Sequence, residues 1–235
     1  MTATNLFLAM VGGILPALLW LWFWLKEDRL HPEPRRLIII TFFAGMGFIA
    51  VALPLEHIAH TILSKLNLTI IWGSFILLFV WALIEELAKY FAAKTAALNK
   101  KEFDEPVDAL IYLITAALGF AALENVIFLI EVINNYGILG GLVTSNLRFT
   151  GATLVHILSS ATVGSSIAFA FFHKENMRRN IFWGLFFGTL LHTLFNYFII
   201  ESEGKGIFQI FFSLWILAGI LIIIFEKVKK IKKHV

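Results

Sequence analysis

In 235 residues the chain carries 59% apolar side chains, 24 phenylalanines, only 15% charged residues and a mean hydropathy of +0.84, which excludes a soluble domain and describes a helical membrane protein. The net charge of +3 is lysine and arginine gathered in one set of loops, not a nucleic-acid footprint, and the lack of cysteine excludes disulfides and any thiolate metal site. Apolar segments lie at roughly 6–25, 37–55, 70–91, 107–130, 150–172, 181–200 and 207–225, each near the ~20 residues that cross ~30 Å of hydrocarbon. They predict an all-α polytopic membrane protein of seven transmembrane helices, forming a single domain over residues 1–235. Met1 to Asn5 has no basic residue, so the first segment reads as a retained helix instead of a cleaved signal. Alternate loops and the tail hold fifteen Lys and Arg against three on the other side, which predicts an outer amino terminus and a cytoplasmic carboxyl terminus.

In chain order, helix one carries Trp20, Trp22 and Trp24, read as part of an interfacial belt. Helix two has no ionisable residue in its span; Glu56, His57 and His60 follow it beside Ile58, Ile62 and Leu63 and read as an interfacial amphipathic turn in preference to a metal triplet. Helix three runs Trp81-Ala-Leu-Ile-Glu85-Glu86-Leu-Ala-Lys89, which puts Glu85 and Lys89 on one face and Glu86 about 100° around. Helix four opens on Asp108, a first-turn carboxylate favoured by the helix dipole, and later aligns Phe120 with Glu124, followed by Asn125. Between helices four and five, Glu131 to Arg148 includes Asn134, Asn135, Gly137, Gly140 and Gly141, the composition of a mobile outer connection. Helix five repeats Ala152, His156, Ser160, Gly164 and Ala168 every four residues, and helix six repeats Gly184, Gly188, His192 and Asn196. Small residues in such stripes let helix backbones approach and bring an internal imidazole within reach of a neighbour.

Each ionised side chain at mid-bilayer costs about 2.5–3.5 kcal/mol, so Glu85, Glu86, Glu124, His156 and His192 on four consecutive helices point to one shared polar pocket. The expected architecture is a four-helix catalytic core, helices three to six, flanked by helices one, two and seven. Counted from the cytoplasmic ends, His192 lies ~16 Å deep, His156 ~24 Å and Glu124 ~25 Å. Glu85 joins them at ~20 Å if helix three continues to Leu98.

Four motifs carry a resemblance: Glu85-Glu86-Leu-Ala-Lys89 (EExxK), Phe120-Ala-Ala-Leu-Glu124-Asn125 (FxxxEN), Arg148 followed by His156, and His192-Thr-Leu-Phe-Asn196 (HxxxN). With Asp28-Arg29 and Glu33-Pro34 in the first cytoplasmic loop, they make the chain similar, over about residues 15–200, to the PrsW family of intramembrane proteases. That family is related to the CAAX-processing and bacteriocin-immunity-type membrane proteases. The resemblance implies peptide-bond hydrolysis in a membrane-anchored protein substrate, as in clipping of an anti-sigma factor, and a place in the bacterial cytoplasmic membrane. Where family members often carry Asp, this chain has Asn196.

The candidate catalytic residues are Glu85, Glu86, Glu124, His156 and His192, with Lys89, Arg148 and Asn196 in support. A glutamate held in low dielectric suits a general base that later serves as acid, and Glu85 is the first choice, with Glu86 as helper or substitute. His156 and His192 are placed to meet the developing oxyanion, Glu124 to position a ring or a water, and Asn196 to donate or to fix the His192 ring. The same side chains also fit a second chemistry, since Glu85, His156 and His192 form a Glu-His-His set of the catalytic zinc type, although no HExxH helix is present. Residues alone leave open a metal-free or a zinc-dependent reaction. Two further functions compete: a proton-coupled transporter, because Glu and His chains also form proton relays, and a non-catalytic membrane scaffold in which Glu85 and Lys89 are a plain intrahelical ion pair.

Overall fold

The structure, a computed structural model, describes residues 2–27, 32–66, 70–202 and 205–232, without the side chains of 70–73. Asp28 and Arg29 of the loop motif lie outside the described residues. The described chain is all-α: α1 (Ala3–Glu27), α2 (Arg35–Leu63), α3 (Ile70–Ala93), α4 (Asp108–Leu147), α5 (Thr153–Phe169), α6 (Met177–Glu201) and α7 (Ile207–Val228). A π-helical turn, Lys94–Leu98, prolongs α3, and another, Arg148–Ala152, joins α4 to α5. The helical path of α3 therefore reaches Leu98, the extent at which Glu85 and the other internal groups share one depth.

Among the described residues five stretches are long and apolar enough to cross a membrane: α1, α2, the run Asp108–Phe169, Lys174–Glu201 and α7. The run Asp108–Phe169 is itself broken at Gly137, whose φ of 73° and ψ of −176° suit a residue without Cβ. Ile133 lies against Gly141, Asn125 hydrogen-bonds Thr153, and Ala109 lies against Gly164. Each pair is nearly symmetric about 137, so the chain doubles back there and 108–136 and 138–169 form an antiparallel pair. The outer connection expected to be loose between Glu131 and Arg148 is thus helical on both sides of a one-residue reversal.

Every residue of α4 from Asp108 to Ala122 is buried, as expected of a helix apolar around its whole circumference. Helices α1, α2, α3 and α5 pack around it, so α1 and α2 contribute to the interior as much as they cover it. Close approach is achieved by glycine: a Cβ on Gly45 of α2 would overlap the carbonyl of Ala116, and one on Gly119 of α4 would overlap the carbonyl of Phe42. Because the obstruction is backbone and cannot rotate away, Gly119→Leu is expected to cost at least about 1–3 kcal/mol of stability. Thermal unfolding in detergent measures this, and an unchanged midpoint would mean that the crossing adapts.

Aromatic residues of α1 add to this interior. Trp20 and Trp24 are buried against Phe149, Trp215 and Phe225, while Trp22, on the opposite face, is exposed with Lys26 over its ring. Only Trp22 of the three has the exposure expected of an interfacial belt. The helix ends sort into two faces: Asn5 meets Asn134 at 3.2 Å and Ser145 meets the Gly12 carbonyl at 3.0 Å at one end, and Glu27 pairs with Lys229 at 3.6 Å at the other.

Candidate active site

Helix α3 presents Glu85, Glu86 and Lys89 within one turn, spacings that let a lysine reach back to both carboxylates. Lys89 Nζ lies 3.2 Å from Glu85 Oε2 and 2.8 Å from Glu86 Oε1 and is wholly buried. Helix α5 adds His156, Ser159 and Ser160, α6 adds His192, and α4 adds Glu124 and Asn125. The glycines predicted to bring these helices together do so: Gly188 of α6 faces the Ser159 carbonyl of α5, and Gly184 faces Ser166. The rings of His156 and His192 meet edge to face, their centroids 4.9 Å apart.

Hydrogen-bond partners decide which nitrogen of each ring carries the proton. An ammonium has no acceptor, and Lys89 Nζ is 2.7 Å from His156 Nδ1, so Nδ1 offers its lone pair. The Nε2–H of His156 then donates to Glu124 Oε2 at 2.9 Å. His192 donates through Nδ1–H to Glu86 Oε1 at 3.1 Å and turns Nε2 toward Glu85, 3.9 Å away. Both imidazoles are therefore held from outside by a carboxylate and turn their second nitrogen inward.

Those inward atoms converge. Glu85 Oε2 lies 3.6 Å from His156 Nδ1 and 3.9 Å from His192 Nε2, and the three residues offer ligand atoms all within 4.8 Å of one another. A tetrahedral zinc with bonds of about 2.0–2.1 Å holds its donors ~3.3 Å apart, so the widest separation would close by about 1.5 Å to complete the set. Two histidines and a glutamate are a catalytic zinc donor set, and the outer carboxylates are the partners that orient metal-binding imidazoles. The rings apart, Glu85, Glu86 and Glu124 outweigh Lys89 and Arg148 by one negative charge, which also favours a cation. By donor type, spacing and charge the residues fit a divalent metal.

Glu86 is the most heavily engaged group. Its Oε1 accepts from Lys89, His192 and Ser159, the last at 2.8 Å, and its Oε2 accepts from Ser160 at 2.9 Å. Glu85 is less constrained: among the described residues only its Oε2 is engaged, and its side chain keeps 11% exposure. At the rim, Arg148 donates to Glu124 Oε2 at 2.8 Å and to Asn125 Oδ1, and Asn125 donates onward to Thr153. Arg148, expected at the edge of an outer loop, instead lies in the π-helical turn and clamps Glu124, whose side chain is 33% exposed.

Seven of the eight predicted residues are thereby brought together: Glu85, Glu86, Lys89, Glu124, Arg148, His156 and His192. Asn196 is half-buried and, among the described residues, hydrogen-bonds none of them; Glu86 fixes the His192 ring in its place. Ser159 and Ser160 escaped the sequence reading as functional residues, although two adjacent hydroxyls one turn beyond an internal histidine were the available signal.

Glu56 is a second addition. Helix α2 runs on past the expected span and places Glu56 on the stripe of Ile49 and Ala52 that packs on Ala88 and Phe120. Trp81 Nε1 donates to the Glu56 carbonyl at 3.0 Å, and the Glu56 carboxylate feels the charges of Glu85, Glu124 and Lys89. His57 and His60 are exposed, so the three do not form a triplet.

Comparison with known proteins returns one family. The profile described as PrsW family intramembrane metalloprotease matches residues 33–224. Protease PrsW of Oceanobacillus iheyensis is 28% identical over 212 residues, covering 88% of this chain and 91% of that protein. Protease PrsW of Clostridioides difficile is 28% identical over 195 residues, 80% of this chain and 77% of that one. Protease PrsW of Bacillus subtilis is 30% identical over 126 residues, 53% and 55% of the two chains. No solved structure matches the chain.

Proposed function

The chain belongs to the PrsW family of intramembrane proteases, and from that membership we propose that it cleaves a membrane-anchored protein, of the anti-sigma-factor kind, at the cluster of Glu85, His156 and His192. The observation that carries this reading is the pair of imidazoles, each tied by its outer nitrogen to a carboxylate and facing Glu85 with its inner one. A structural ion pair needs no such convergence. In this reading the chain is a single membrane domain crossing the bilayer seven times, α3 and the two arms about Gly137 included, with its amino terminus outside.

Glu85, His156 and His192 would hold a divalent ion such as zinc, which when bound supplies Lewis acidity and water activation. The chain's own groups do the rest. Glu85, engaged through Oε2 alone among the described residues, keeps Oε1 to take the proton of the attacking water and return it to the leaving amine. Glu86, saturated by four donors, holds the His192 ring and balances Lys89. Glu124 holds the His156 ring, and Arg148, fixed by Glu124 and Asn125, offers its remaining N–H groups to the substrate carbonyl. Burial among helices keeps bulk water from these charges and strengthens each contact.

The test is purified protein in liposomes with a panel of single-span substrates, native against His192→Ala, with and without chelator. Native protein should cleave, His192→Ala should lose at least about 100-fold, and chelation should abolish activity that zinc restores. Cleavage untouched by His192→Ala would remove this cluster from the reaction; cleavage untouched by chelator would leave the glutamate mechanism standing without metal.

A further inference from the structure

The donor set already has a cation. Lys89 Nζ touches two of its three members, His156 Nδ1 at 2.7 Å and Glu85 Oε2 at 3.2 Å, from a side chain with no exposure. An imidazole nitrogen of this kind has one lone pair, so it can serve the ammonium or a metal ion but not both. We infer that Lys89 is the resident cation of the Glu85, His156 and His192 set, and that a divalent ion binds only by displacing it. The inference rests on the reading of that set as a metal site.

The surroundings of Lys89 suit a displaceable group. Its contacts divide into two kinds: Glu85 and His156 belong to the donor set, whereas Glu86, at 2.8 Å, and the face of Phe120, 4.8 Å from Nζ, do not. On displacement the ammonium keeps Glu86 and the ring, so it never becomes a buried charge without a partner. The flexible four-carbon stem permits that swing, as a guanidinium fork fixed to two carboxylates would not. The same arrangement explains how three carboxylates are tolerated among helices before any metal arrives: Lys89 and Arg148 offset them until then. Metal loading thus becomes an exchange of one cation for another, and affinity is set by how firmly Lys89 is held.

The experiment is a zinc titration of the detergent-purified full chain against a chelating fluorophore, with thermal unfolding with and without zinc as a second readout. The chains compared are native, Lys89→Met, Lys89→Gln and His156→Ala. Both Lys89 variants should bind zinc about ten- to a hundredfold more tightly than native, the equivalent of the charge-assisted hydrogen bonds the ammonium no longer defends, and His156→Ala should bind it more weakly. Should Lys89→Met fail to fold, Lys89→Gln, whose amide can still donate to Glu86, carries the comparison. Zinc affinity equal to or weaker than native in the Lys89 variants, with His156→Ala still impaired, overturns the competition and leaves the metal site standing. No zinc binding in any chain overturns both.

Discussion

Exchanging Glu85 for glutamine is expected to slow cleavage of a single-span substrate by about 100- to 10,000-fold, the range for loss of a general base, while the helices remain assembled. Glutamine has the same shape, and its amide oxygen can still accept from Lys89, so the 3.2 Å contact survives without the charge. What is lost is the negative charge, and with it both the capacity to take a proton and a strong ligand for a divalent ion. Initial rates on a liposome-bound substrate measure the first effect, and the unfolding midpoint in detergent measures the second. Retained activity with an unchanged midpoint would mean that the proton goes elsewhere, and Glu124 at the rim would be next in line.

Glu86→Ala should behave in the opposite way, with its main effect on stability. The side chain has no exposure and is held by Lys89, Ser159, Ser160 and His192. Removing it takes from the buried ammonium its nearer carboxylate and from Ser160 and the His192 Nδ1–H the acceptor they use, for which about 3–5 kcal/mol is the expected loss. The unfolding midpoint should fall well below that of Glu85→Gln, and added salt should not narrow the gap, because the pair is out of reach of counter-ions. A midpoint equal to native would show that water or Glu85 can take over all four donors. The two adjacent glutamates are thereby separable by experiment: one is expected to move the rate and the other the stability.

Much of this was legible in advance. The cost of a charge in hydrocarbon is severe enough that Glu85, Glu86, Glu124, His156 and His192 had to share a pocket, and the four-residue stripes of glycine and alanine on helices five and six indicated which faces close on it. The roles were less legible. Asn196 shares the His192 stripe, yet the ring is fixed by Glu86 on another helix, because a 2.8 Å network built on Lys89 and Ser159 leaves that oxygen in the right position. Glu56 was set aside because, with His57 and His60 beside Ile58, Ile62 and Leu63, it reads as an interfacial amphipathic turn, whereas α2 continues for two more turns past Pro54 to Leu63. The glycines and asparagines of 131–148 suggested a loose segment; a helix needs only one residue of positive φ to reverse, and Gly137 alone supplies it.

By itself the sequence determined the class of the protein, its helical spans and the set of ionisable groups that must meet, since composition, periodicity and the cost of burying charge act on each segment locally. Only the tertiary structure decided which oxygen faces which nitrogen. That choice singled out Glu85 as the less constrained carboxylate, turned one nitrogen each of His156 and His192 inward, and set Lys89 among them. Such outcomes depend on contacts between residues 67 to 106 positions apart in the chain, over which no local rule operates and only the packing of whole helices has a say.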